Sequence, residues 1–352
     1  MQIKMGQSML PKISIIIPVK PGGEVKALEP LRQVEYPADS LEVLVAEGRR
    51  PSRQRNKAAA EASGELLYFL DDDSLVDPGF LRRVIGHFSD TQVAVVGGPS
   101  LTPSTDSLRQ RAFGAALSSP FGGGGVRNRY RKTGTVRQTG DHELILCNLC
   151  IRREVFLQFG GLDERLYPNE ENELLDRLRK AGLHCIHDPD LAVTRSQRPT
   201  FRAFARQLFT YGRGRGEQTR IARRIPLPLL LPPLFFFYVL LLPFGDKPVY
   251  SLPLLCYGLL VLWFAASDAN RCGDLKLLPL LLPVFPLLHL AYGAGLLRGL
   301  AQPRFEAGTG KGGDQGPVKR QDRGPGTGRN GKNGERGTGN GGELGNSYDS
   351  NR

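Results

Sequence analysis

Cysteine is scarce in this chain of 352 residues: Cys147, Cys150, Cys185, Cys256 and Cys272 are all there is. An odd count, with no secretory signal at the N-terminus, argues against a disulfide framework and for a reducing compartment. "CNLC" (Cys147 to Cys150) has zinc-ligand spacing, but no second C-x-x-C pair follows it. His184, Cys185 and His187 are the partners that could be offered, and buried thiols on a strand explain the pair more simply.

Charge is missing from three stretches, Ile225 to Phe244, Tyr250 to Ser267 and Leu277 to Leu297, which hold no Asp, Glu, Lys or Arg. Each is close to the ~20 residues needed to cross a bilayer. A buried core helix would keep a polar face for water; these have none, so they are membrane segments. Pro226, Pro228, Pro232 and Pro233 interrupt the first, which could instead be re-entrant or interfacial. Three crossings are expected, with two as the alternative. Apolar residues nearly vanish after about Gln302, and a segment that cannot bury surface is expected to stay disordered over 301–352. Residues 1–11 are expected to be flexible.

Basic residues outnumber acidic ones, giving a formal net charge of +12. The run "RQLFTYGRGRGEQTRIARR" (Arg206 to Arg224) places its end of the membrane region in the cytoplasm by the positive-inside rule. "RRPSRQRNK" (Arg49 to Lys57) lacks interleaved aromatics, so nucleic acid is not an expected partner. "FGGGGVRNRYRK" (Phe121 to Lys132) lacks the Lys-Ser/Thr ending of a P-loop and is expected to be a mobile loop.

What remains is a mixed globular sequence. "ISIIIPVK" (Ile13 to Lys20), "LEVLVAEG" (Leu41 to Gly48), "ELLYFLDDD" (Glu65 to Asp73) and "VAVVGGP" (Val93 to Pro99) are apolar runs suited to buried strands. Helix-compatible stretches, Ser52 to Gly64 and Pro78 to Asp90, lie between them, which indicates an α/β sheet with parallel strands. Ligands bind at the carboxyl ends of such strands. Asp71, Asp72 and Asp73 stand at one of those ends, with Pro18 and Glu47 at two others. Carboxylates ~4 Å apart repel by about 4 kcal/mol near a protein surface. A divalent cation between them offsets that cost.

The order and spacing of these pieces resemble the family-2 glycosyltransferases, membrane-attached inverting enzymes with a nucleotide-diphospho-sugar-binding (GT-A) fold. The resemblance rests on the first two strands, on "RQRNKAAAEASGELLYFLDDDS", and on "CNLCIRREVFLQFGGLDERLYPNEENELLDRLRKAGL". It extends from Ile13 to about Leu300 and is strongest toward the subgroup that builds bacterial exopolysaccharide on a lipid carrier. It implies a GT-A domain over 12–224, with a mixed Rossmann-like sheet, followed by a membrane domain over 225–300. It implies Asp71 and Asp73 as the acids of a DxD motif holding Mg²⁺ or Mn²⁺, with Asp72 as the variable middle residue. Pro18, Glu47, Arg55, Asn56 and Asp71 would line the donor pocket for a nucleotide-diphospho-sugar.

The family's catalytic base is the second acid of a Glu-Asp pair, which falls here on Glu171 with Glu170 before it; the choice among Glu170, Glu171 and Glu173 stays open. Two other positions depart from the family. Glu47 replaces the usual Asp, and "QLFTY" (Gln207 to Tyr211) lacks the Arg-Trp of processive synthases, which implies addition of a single sugar. Arg206, Gln207, Arg213 and Arg215 would meet a lipid-linked diphosphate acceptor or the headgroups of membrane lipids. The implied location is the bacterial inner membrane, multi-pass, with the catalytic domain cytoplasmic. Two competing functions are a haloacid-dehalogenase-type phosphatase, with Asp71 as nucleophile and Asp73 as acid/base, and a scaffold that kept the fold without activity.

Overall fold

The computed structural model describes residues 10–223, 225, 227–245, 247–304 and 315–321. Its strands are β1 (Ile13–Val19), β2 (Leu41–Gly48), β3 (Leu66–Leu70), β4 (Val93–Gly97), β5 (Ser100–Leu101), β6 (Arg137–Gln138), β7 (Asn148–Arg152), β8 (His184–His187), β9 (Val193–Thr194) and β10 (Gln315–Gln321). The helices are α1 (Leu28–Leu31), α2 (Pro51–Glu61), α3 (Phe80–His87), α4 (Leu108–Leu117), α5 (Arg153–Gln158), α6 (Glu170–Lys180), α7 (Phe201–Ala222), α8 (Leu231–Leu241), α9 (Leu252–Arg271) and α10 (Leu278–Ala301).

The main sheet runs β10-β2-β1-β3-β7-β4-β8-β6. Strand β1 pairs in parallel with β2 and β3, Ile13 facing both Leu41 and Leu66. Strand β7 enters antiparallel between β3 and β4, so the sheet is mixed. Both faces are covered, which is why the strands read as continuous apolar runs. Ile13, Ile15 and Ile17 pack toward Phe80, Leu81 and Val84 of α3. Ile16, Leu67 and Phe69 pack toward Ala58, Phe156 and Leu174 on α2, α5 and α6. The parallel strands end together at Val19, Gly48 and Leu70, and the three aspartates follow the last of these directly.

A helical platform adjoins this edge of the sheet. Helix α7 starts at Thr200, whose hydroxyl accepts from the Ala203 N–H at 3.2 Å. Helices α7 and α10 run side by side and so close that side chains at the contact are excluded. A Cβ at Gly295 would lie 2.0 Å from the Phe209 carbonyl oxygen, and one at Gly299 would lie 2.1 Å from that of Arg213. Small residues let helix backbones meet in this way. Phe113 of α4 stacks on Phe204 of α7 at 4.2 Å, joining platform to sheet domain.

Leu227–Phe244, Pro248–Arg271 and Leu275–Ala301 are long and apolar enough to cross a membrane. Exposed large apolar side chains gather on the first two, among them Leu227, Phe244, Leu259 and Trp263. The third stays on the sheet domain at both ends. Asp274, just before it, pairs with Arg111 of α4 at 3.0 Å. Arg304, just after it, donates to Glu217 at 2.8 Å and to the Tyr167 carbonyl at 2.5 Å.

One expectation fails within 301–352. Gln315–Gln321 is a strand, antiparallel to β2, with Arg320 facing Leu44 and Lys319 facing Val45. Val318 packs on the core, and Lys319 reaches Glu47 at 3.2 Å. The composition rule counts apolar side chains, whereas an edge strand is recruited by the unpaired main-chain groups of β2. The rest of the segment past Arg304, like residues 1–9, lies outside the described residues.

Candidate active site

A single cavity of about 1420 Å³ opens at the strand ends and continues into the helical platform. Its sheet end is lined by Pro18, Arg55, Asp71, Asp72 and Asp73; its platform end by Leu229, Pro232, Phe235, Tyr257, Leu288 and His289. Glu170 and Glu171 lie on the wall between them.

The acids are held by arginines. Arg55 on α2, buried, donates to Asp71 Oδ1 at 2.7 Å and to Glu170 Oε1 at 3.3 Å. Arg195, directly after β9, lies 2.9 Å from Asp71 Oδ2 and donates through Nε to Asp73 Oδ1 at 2.6 Å. Burial alone would raise the pKa of Asp71; Arg195 and then Arg55 outweigh it and hold the carboxyl below its usual value. Asp72 moves the other way, pushed up by burial and by the charges of Asp73 and Asp71.

Helix α6 begins after Asn169, which takes a left-handed backbone conformation (φ 83°), and its first turn carries Glu170, Glu171 and Glu173. An acidic first turn and a basic last turn, Arg177, Arg179 and Lys180, suit the helix dipole. The three acids then diverge. Glu173 pairs along the helix with Arg177 at 2.7 Å, away from the cavity. Glu170 is turned toward Asp71 through Arg55. Burial first, and the charge of Glu171 second, push its pKa up to about 8. Glu171 faces Arg129 at 3.3 Å. Arg129 is buried and also donates to Asn172 Oδ1 and to the carbonyls of Asp141 and His142. Glu170 Oε2 and Arg55 Nε are buried without a partner among the described residues. Buried polar atoms are seldom left so, and both belong to the cavity's polar half.

The remaining expected residues divide. Pro18, Arg55, Asp71, Asp73 and Arg215 line the cavity. Glu47 does not: it accepts from the Gly22 N–H at 2.9 Å and faces β10. That Gly22 bond, then Lys319, hold its pKa low. Asn56 is also absent from the wall, because both ends of its amide are engaged by the Leu162 backbone, at 2.8 and 2.9 Å. Arg206 is exposed on the far side of α7. Arg213 is drawn to Glu217 at 3.2 Å, between α7 and the chain after α10. Gln207 stands one layer back, donating to the Tyr211 hydroxyl at 2.7 Å and accepting from Arg198 at 3.3 Å. Tyr211 and Arg198 themselves line the cavity. Helical position explains the split: residues 206 and 213 fall on the faces of α7 turned from the cavity. Cys147 borders the cavity and Cys150 is buried on β7, and among the described residues neither belongs to a group of three metal-ligating side chains. The glycine-rich loop expected to be mobile is wedged in place, Phe121 stacking on Phe264 at 4.8 Å and its carbonyl accepting from His289 at 2.9 Å.

Sequence reasoning missed Arg195, Arg198 and Arg129. The signal for the first two was "LAVTRSQR", a short apolar strand running straight into two arginines at a strand's carboxyl end. Arg129 gave none, since its partners lie 12–43 residues away.

Among the described residues no three His, Cys, Asp or Glu side chains gather as a ready metal site. The donor set still fits a hard cation that arrives with phosphate: Asp71 and Asp73 present carboxylate oxygens that already converge on one cationic group, and the cavity has room for further oxygen ligands.

Residues 26–158 match the family model described as Glycosyl transferase family 2. The chain is 31% identical over 263 residues to the succinoglycan biosynthesis protein ExoA of Rhizobium meliloti, covering 70% of this chain and 73% of the relative. It is 28% identical over 176 residues to a pre-mycofactocin glycosyltransferase of Mycobacterium tuberculosis, covering 50% of this chain and 36% of that one. Among solved structures it resembles the mannosyltransferase PcManGT of Pyrobaculum calidifontis, solved with GDP-Man and Mn²⁺, at a TM-score of 0.55 and 15% identity, over 83% of this chain and 88% of that one. At that identity the likeness is one of fold.

Proposed function

Because this chain belongs to glycosyl transferase family 2, we propose that it moves one sugar, with inversion, from a nucleotide-diphospho-sugar to a lipid-linked acceptor at a membrane. The likeness to a succinoglycan biosynthesis protein supports a place in bacterial exopolysaccharide assembly. The observation that carries the reading is the cavity's continuity. Its polar half holds Asp71, Asp73 and arginines that include Arg55, Arg195, Arg198 and Arg215, and its other half is apolar and lies between helices of membrane length. A water-soluble acceptor has no use for the second half; a diphosphate carrying a lipid chain uses both.

The residues then take roles. Asp73 and Asp71 would hold Mg²⁺ or Mn²⁺ together with the diphosphate oxygens, and the ion when bound offsets charge on the leaving diphosphate. Arg55 fixes Asp71 and Glu170 relative to one another. Glu171, on the acceptor side, takes the proton of the attacking hydroxyl, and Arg129 orients its carboxylate. Arg198 and Arg215 bind phosphate. The pattern Asp-x-Asp on a strand opening the chain, which a phosphatase of the haloacid dehalogenase type would need, is not what this sheet has: β3 follows two earlier strands.

The platform is read as membrane-bound on the cytoplasmic side of a bacterial inner membrane. An even number of crossings is supported by contacts at four points along the chain: α7, Asp274, Arg304 and β10 all meet the sheet domain. Helices α8 and α9 form a hairpin that enters the bilayer, and α10 lies along its surface.

The test is labelling. Purified protein in membrane-lipid nanodiscs is given a panel of tritiated nucleotide sugars. Label should enter the solvent-extractable lipid and be released by mild acid. Label found only in water-soluble products would overturn the acceptor class.

A further inference from the structure

The guanidinium of Arg195 pairs with both carboxylates that would hold a metal. It touches Asp71 Oδ2 at 2.9 Å and Asp73 Oδ1 at 2.6 Å, with a longer approach to Asp73 Oδ2 at 3.5 Å. A cation bound by these two carboxylates would use the same oxygens. Arg195 is also firmly mounted: its N–H donates to the Leu101 carbonyl at 2.9 Å, extending the β5–β9 pairing, and four-fifths of its side chain is covered. It is not a surface arginine that happens to swing past.

We propose that Arg195 is the resident cation of the Asp71–Asp73 pair, which excludes a free divalent metal and yields its place only to a metal arriving on a nucleoside diphosphate. This rests on the metal role given to those acids above.

The charges decide the order of binding. Asp71 and Asp73 carry two negative charges, and Arg55 and Arg195 balance them. A bare dication added to that set leaves an excess of two positive charges in a partly covered cavity. It also strips Arg195 of its partners, and an arginine without an anion there is costly. A diphosphate entering with the metal removes both objections, since its oxygens neutralise the excess and accept from the displaced guanidinium. Arg195 would thereby pass from the carboxylates to the diphosphate. Asp71 keeps Arg55 on its other oxygen throughout. The neighbouring Arg198 lines the same cavity but makes no ion pair with Asp71 or Asp73, so it provides a control for charge alone.

The experiment is a Mn²⁺ titration of the full chain in detergent, read by loss of the free-ion electron paramagnetic resonance signal. It is run with Mn²⁺ alone and with Mn²⁺ plus UDP or GDP, against protein-free controls. Wild type should take up Mn²⁺ only with a nucleoside diphosphate present. Arg195→Gln should bind Mn²⁺ alone roughly tenfold more tightly or better, from loss of a like charge beside the ion. Arg195→Lys should restore exclusion, Arg198→Gln should behave as wild type toward Mn²⁺ alone, and Asp73→Asn should remove uptake in every background. Melting curves establish that each variant is folded. If wild type binds Mn²⁺ with nucleotide but Arg195→Gln gains nothing, the exchange is wrong and the metal role stands. An equal gain in Arg198→Gln also overturns it, since a diffuse field would then suffice. If no nucleoside diphosphate brings Mn²⁺ to wild type, the metal role fails and the exchange falls with it.

Discussion

Arg129 and Glu171 face each other at 3.3 Å across the cavity wall, the guanidinium from the glycine-rich loop and the carboxylate from the first turn of α6. That pairing separates Glu171 from its neighbour: Glu170 is tied through Arg55 to Asp71, Glu171 to Arg129 of the glycine-rich loop. It is the reason for placing the base at 171.

Glu171→Gln keeps the shape and removes the proton acceptor. Transfer should fall by ~10²–10⁴-fold in kcat, with donor affinity nearly unchanged. Glu173→Gln, which only loses a pair with Arg177, should stay close to wild type in kcat. Steady-state kinetics with nucleotide binding measured separately distinguishes these. Normal kcat in Glu171→Gln with loss in Glu170→Gln would move the base by one residue.

Glu170 predicts a pH dependence of stability. Its pKa rises from 4.5 in an ordinary setting to about 8 in the fold. The folded chain therefore keeps a proton that the unfolded chain releases, so this group's contribution is full below 4.5 and is lost as pH rises to about 8. Glu170→Gln mimics the protonated form and still accepts from Arg55. Its melting temperature should gain on wild type from about pH 5 upward and level off above about pH 8. A difference that does not change with pH would mean that Glu170 ionises normally.

The fold's first strands and the acids at their ends were legible because buried parallel strands are written as unbroken apolar runs, and Asp71 to Asp73 interrupt one abruptly. The antiparallel entry of β7 was not, since β3 and β7 are separated by α3, β4, β5, α4 and β6, and local pattern says nothing about pairing at that distance. Composition also hid β10: "QGPVKRQ" is polar, and only the open edge of β2 makes it a strand. At the site, the carboxylates singled out from the sequence line the cavity, since they stand in order along one strand end. Asn56, expected on the same pocket, gives its amide to the Leu162 turn instead, and a partner 106 residues away leaves no local trace.

The chain after α10 has a structural role that its composition concealed. Arg304→Ala removes donors from the buried Glu217 and from the Tyr167 carbonyl. Arg213 remains on Glu217, so the loss should be about 1–3 kcal/mol by chemical denaturation. Truncation after Gln302 should cost at least as much. No change in either would show that these contacts contribute nothing in solution.

The proposed even number of crossings rests on the same contacts. A reporter at the chain's C-terminus should read the same side as one inserted after Arg223, because Arg304 and β10 both return to the sheet domain. Opposite readings would restore three crossings.

The claim that one cavity serves a nucleotide at one end and a lipid at the other is tested most directly by filling its apolar half. Leu229 lines that half, while Leu227, on the same segment, is 79% exposed and does not. Leu229→Trp should leave nucleotide-sugar affinity unchanged and cut labelling of the lipid fraction by roughly tenfold or more, as steric exclusion from a binding pocket does. Leu227→Trp should match wild type in both. Undiminished lipid labelling in Leu229→Trp, with the protein folded and the donor bound, would contradict the account.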